Sequence, residues 1–246
     1  MAEWPDNRTT ERTAGFGVAT AGRDVAYDTG LRSYMLSIYN MMAGGVALSG
    51  VIAFFFAQSG YAEQMMLNGG ILKWVIVLSP LAIVMAMSFG AERMSTATLQ
   101  LLYWGFAALM GLSLSTIFLV YTGESIALTF AATSVSFLAL SIWGYTTKKD
   151  LSGMGTFLIM GLVGLLVAML ANIFLQSSTL SLAISAIGVL IFAGLTAYDT
   201  QKLKSMYFHL QGSEFIGKSV VMGALTLYLD FINMFQFLLS FLGSRD

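Results

Sequence analysis

Cysteine is absent from the 246-residue chain, and histidine occurs once, at His209. Without thiols there is no disulfide, no thiol nucleophile and no cysteine-based metal site. One histidine also excludes metal centres built from clustered histidines and acids. GxGxxG, GxxxxGK[ST], HExxH and GxSxG are missing too. The chain therefore does not read as an enzyme, and no cofactor is implied. Charge is the remaining scarcity. Charged residues make up 10% of the chain, against roughly 25% in soluble domains. The net charge is −1 and no basic patch suits a nucleic acid.

What is present is apolar, at 57% of residues. Seven runs, 33–58, 72–90, 98–121, 125–145, 155–175, 180–199 and 219–242, each approach the ~20 residues needed to cross a hydrocarbon core. The expected fold is an all-α integral membrane protein of seven transmembrane helices over residues 33–243. Residues 1–32 are polar, carry four arginines and lack an apolar h-region, so they read as a flexible cytoplasmic tail rather than a signal peptide. Pro80 falls inside the second run. A membrane helix tolerates that kink when neighbours satisfy the freed carbonyl. Only the connections 59–71 and 200–218 exceed ten residues.

Basic residues set the expected orientation. With the N-terminus in the cytoplasm, ten of the 12 lie on that side and only Lys73 and Arg245 on the other. An odd number of spans then puts the C-terminus in the periplasm. Small residues on one face, Ala43, Ala47 and Gly50 in the first run and Gly161, Gly164, Ala168 and Ala171 in the fifth, mark expected close helix approaches. The 18 Phe and 16 Met read as core and lipid-facing filler.

Asp230, in LYLDFIN (227–233), is the residue the apolar setting makes conspicuous. A carboxylate deep in a spanning helix costs on the order of 2.5–3.5 kcal/mol on insertion scales, so it faces protein or water and suggests function. At 100° per residue, Ser219, Gly223, Thr226, Asp230, Asn233 and Ser240 fall within about 100° of arc, a polar stripe along the last helix. The bland alternative is a packing contact with a neighbouring helix. Asp199, in GLTAYDTQKLK (194–204), shares a face with Ser181, Ser185, Gly188 and Thr196. Its place near the end of its run, just before Lys202 and Lys204, equally suits an ordinary interfacial aspartate.

If the two acids meet, they cannot both ionise cheaply in a low-dielectric site, and they titrate as a unit. Protonated, the pair clamps two helices. Deprotonated, it repels and offers oxygens to a hard cation such as calcium. Arg93, in FGAERMS (89–95), is the candidate cationic partner, with local pairing to Glu92 or a topological role as its alternatives. Glu63 and Glu124 are loop acids, and a lone exposed histidine is more often surface than sensor.

The segments GLRSYMLSIYNMMAGG (30–45), SLSTIFLVYTGESI (113–126), GYTTKKDLSGMG (144–155), GLTAYDTQKLK (194–204) and LYLDFIN (227–233) resemble those of the transmembrane Bax inhibitor motif family, in its bacterial YccA-like branch. The resemblance implies seven helices with the last one central and six around it, in the bacterial inner membrane. It also implies a pH-sensitive calcium leak whose sensing pair falls on Asp199 and Asp230, with Arg93 as the gating partner. Calcium would be a permeant ion rather than a firmly bound metal. A second implied role is regulation of the membrane-anchored FtsH protease and its HflK and HflC partners, with the tail as a handle. The expected function is therefore an aspartate-gated cation leak, with a protease regulator that transports nothing as the alternative. A proton-coupled exchanger fits less well, since no matching pair of broken helices is present.

Overall fold

The computed structural model describes residues 10–245, with side chains from residue 29 onward. Helix α1 (Thr10–Gln58) is followed by α2 (Tyr61–Asn68), α3 (Gly70–Gly90), α4 (Thr96–Leu114), α5 (Gly123–Thr146), α6 (Ser152–Leu175), α7 (Ser178–Leu210) and α8 (Ile216–Leu242). A 3-10 turn, Ser115–Leu119, prolongs α4. Seven of these segments are long and apolar enough to cross a membrane, the first of them Thr29–Gln58. The tail expected over 1–32 falls partly on residues 1–9, outside the described residues, and partly on helical backbone leading into that span.

Local sequence explains the helix ends. Ser95, Thr122 and Ser177 cap α4, α5 and α7, each hydroxyl accepting a backbone N–H in the first turn. Pro80 removes the N–H that would have bonded the Ile76 carbonyl. That carbonyl instead accepts hydrogen bonds from Ser79 Oγ and, across to α4, Ser113 Oγ, both at 3.0 Å. The freed acceptor has become a link between α3 and α4.

Two expected boundaries move. The connection 59–71 contains the short helix α2, entered through Gly60 at φ 75. More consequentially, α7 runs on to Leu210 and α8 begins at Ile216, so most of the expected loop 200–218 is helix. Lys204 shows why the polar segment stays ordered. Its ammonium bonds the Tyr145 carbonyl at 2.8 Å and lies 4.7 Å from that ring, neutralising the end of α5.

Helix α8 is the most enclosed, packed against α1, α4, α5 and α7. Its main neighbours do not include α3 or α6, which pack on α4 and α7 instead. Four of the six other spans thus make the main contacts with the last helix. The close approaches match those expected only in part, since Gly161 faces Ile191 of α7 and Ala168 packs against the core. Ala43, Ala47 and Gly50 are exposed, and so are Gly164 and Ala171. Helices α1 and α4 meet one face over, at Gly45, Ser49 and Gly111. A Cβ on Gly111 would lie 2.7 Å from the Ser49 carbonyl oxygen.

Candidate functional site

Helices α7 and α8 are antiparallel neighbours joined by the short turn 211–215. Counted from that end of the bundle, Asp199 lies about 17 Å up α7 and Asp230 about 21 Å up α8, at 1.5 Å per residue. The extension of α7 past residue 200 is what places Asp199 deep inside its helix and level with Asp230. The two carboxyl groups come within hydrogen-bonding reach of each other. Asp230 is 4% exposed, and its Oδ2 is the one buried side-chain oxygen or nitrogen among the described residues with no hydrogen-bond partner. With no N–H or hydroxyl of the protein aimed at that oxygen, a proton held between the acids, a water in the adjoining cavity or an incoming cation can satisfy it.

Both acids line a cavity of about 780 Å³ between α6, α7 and α8. Thr226, Asn233 and Ser240 of the polar stripe line it too, with Ser181 and Ser185 of α7. Ser185 donates to Ser240 at 2.9 Å, tying the far ends of α7 and α8. The rest of the stripe has another use. Ser219 bonds the Tyr34 hydroxyl at 2.5 Å, and Gly223 admits Leu203 and Ile38, so this end of α8 is packing. Gly188 is the seat of the Phe237 ring, which stacks on Phe192 at 5.8 Å.

Arg93 is exposed in the turn after α3 and does not line the cavity. The neighbouring Glu92 carbonyl accepts from Lys218, near the start of α8, about 18 Å along the helix axis from Asp230. The cation within electrostatic reach of Asp199 is Lys202. It was legible as the residue three positions on, one helical turn along the same face. Asn172 and Gln236 also reach the cavity, and single amides in apolar runs gave no signal. Among the described residues no three His, Cys, Asp or Glu side chains gather as a metal cage. Two carboxylates with hydroxyl and amide oxygens nearby fall short of the six to eight ligands calcium prefers, so water must complete its shell.

Fold and site together define a polytopic α-helical membrane protein with a carboxyl pair facing an intramembrane cavity. The family model described as Inhibitor of apoptosis-promoting Bax1 matches residues 31–246, and the chain belongs to this Bax inhibitor-1 family. It is 45% identical to the protein RP147 of Rickettsia prowazekii over 93% of this chain and 96% of that one. It is 42% identical to the inner membrane protein YbhL of Escherichia coli K12, over 88% and 93% of the two chains. A Deinococcus radiodurans relative is 42% identical over 88% of this chain and 92% of its own length.

Proposed function

We propose that the protein is a pH-sensitive cation leak pathway of the bacterial inner membrane, with calcium as the permeant ion and Asp199 and Asp230 as the gate. It is a transport protein in this reading, not an enzyme. The supporting observation is the unpartnered Oδ2 of Asp230, buried against a second carboxyl and beside a mostly apolar cavity that Thr226, Asn233 and Ser240 also line. A helix pair that needed only to pack would place an apolar residue there at lower cost. With one shared proton the acids hold α7 to α8. Loss of that proton leaves two like charges in a poor dielectric, which separates the helices and draws in a hydrated cation.

The ten-to-two distribution of basic residues supports an N-terminus and 147–151 and 211–215 turns on the cytoplasmic side, with the C-terminus opposite. Arg93 lies at that cytoplasmic end, exposed and away from the cavity lining. Calcium flux into proteoliposomes between roughly pH 6 and 8 tests the reading. Flux should rise with pH above that of empty liposomes. Correctly inserted protein with no flux at any pH would leave the protease-regulator role, which rests on the tail.

A further inference from the structure

The intramembrane cavity does not end in solid packing at the 147–151 end of the bundle. A second, smaller basin of about 300 Å³ lies there, lined by Lys148, Lys149 and Asp150 of the α5–α6 turn and by the polar side of α7. The two spaces have two lining residues in common, Tyr198 and Lys202. These side chains border both spaces, where the membrane cavity and the surface basin adjoin.

Tyr198 is seated in the packing, and Lys202, exposed at the surface, rests near its ring. The Tyr198 ring lies against the backbone of α6 at Gly155, where any Cβ would collide with it. The Lys202 ammonium sits 5.9 Å from the centre of the same ring, within cation–π range. Gln201, between them in sequence, fixes the far wall. Its Oε1 accepts from Leu151 N and its Nε2 donates to the Lys149 carbonyl, both at 2.8 Å. The basin is therefore preformed, and the aromatic–ammonium pair lies at its border with the cavity that Asp199 lines.

We infer that Tyr198 and Lys202 form a plug in series with the aspartate pair, sealing the cavity from the surface basin. This inference rests on the leak reading for its purpose but not for its test. Separation of the acids alone would hydrate the cavity without opening it at this end. A cation passing through must also displace the tyrosine ring and pass the lysine, whose positive charge opposes it. The plug then makes conduction depend on two barriers in series. Gly155 is the positioning residue, since it gives the ring its seat.

The absence of native cysteine allows a direct test. Thr226→Cys places one thiol on the cavity wall, where the native hydroxyl bonds only its own helix, at the Met222 carbonyl. A membrane-impermeant, cationic methanethiosulfonate is applied to sealed vesicles of known sidedness, with Lys148→Cys in a separate sample marking the basin side. With the plug intact, Cys at 226 should react slowly from that side. Tyr198→Ala should raise the rate about tenfold, a barrier change of one decade, and Lys202→Ala should raise it less. Tyr198→Phe should leave it unchanged, because the ring is the seal. Unfolding is controlled by unchanged labelling at 148 in the same backgrounds. Fast labelling with the plug intact, or equal rates in wild type and Tyr198→Ala, would overturn the plug. A labelling change without calcium flux in any variant would keep the plug and remove the leak. Flux with unchanged labelling would do the reverse.

Discussion

Tyr228 and Asp230 lie two residues apart on α8, about 200° around the helix, and look out from opposite sides of it. On the Tyr228 side the polar groups form a closed chain. The tyrosine hydroxyl meets Ser49 Oγ at 2.6 Å, and that hydroxyl reaches the Ala107 carbonyl at 2.6 Å. Ser49 is fully buried, and the rings of Tyr103 and Phe106 pack edge-on to Tyr228. On the Asp230 side a buried oxygen has no partner and a cavity stands beside it. The same helix thus carries a satisfied polar lock and an unsatisfied acid. A membrane interior tolerates the first for stability. The second costs stability and invites a functional account.

That contrast can be broken on either side, and the packing side should respond most to substitution. Gly111→Val puts a branched side chain where a Cβ already lies 2.7 Å from the Ser49 carbonyl oxygen and 2.8 Å from Ile52 Cβ. Backbone cannot yield as a side-chain tip can, so a loss of about 3 kcal/mol, or failure to fold, is expected in thermal unfolding in detergent. Tyr228→Phe removes one hydroxyl from the chain and should cost about 1 kcal/mol in the same assay. Ser49 retains its carbonyl acceptor, which limits the damage.

Asp230→Asn should cost nothing measurable, because it removes a desolvated charge and keeps the shape. A clear fall in unfolding temperature would make Asp230 part of the packing and erase the contrast. The smallest effect belongs to Asp150, in the turn outside the spans. Hydrogen bonds from Ser152, its N–H at 2.9 Å among them, hold this carboxyl below the usual carboxylate range. A lowered folded-state value stabilises the fold above the ordinary value of 3.8 and loses that contribution as pH falls below it. Asp150→Asn should therefore differ slightly from wild type near neutral pH and converge with it in acid, as followed by unfolding temperature against pH.

Much of this was legible in the chain. Seven apolar runs separated by polar punctuation are a strong signal, because lipid forces every backbone group into helix or barrel. Asp230 was legible for the same reason, as a charge inside a run that excludes it, whereas Asp199, at the end of its run, read equally as an interfacial acid. What misled was the polar stretch after residue 200. Lys202, Lys204 and His209 look like loop, yet they extend α7, since membrane helices can continue into the polar zone. The small-residue stripe of the first run misled as well. Ala43 and Gly50 offer space that no helix occupies, while Gly45 and Gly111 face partners. Side-chain volume tells where helices can approach, and only tertiary packing decides where they do. Arg93 sits exposed at a helix end, and depth along α8 separates it from the acids.

The most direct test compares the two sides of α8 in one assay: pH-dependent calcium flux in proteoliposomes for wild type, Asp230→Asn and Tyr228→Phe. The account predicts that wild type and Tyr228→Phe share one pH dependence and that Asp230→Asn loses it. An unaltered pH dependence in Asp230→Asn would contradict it.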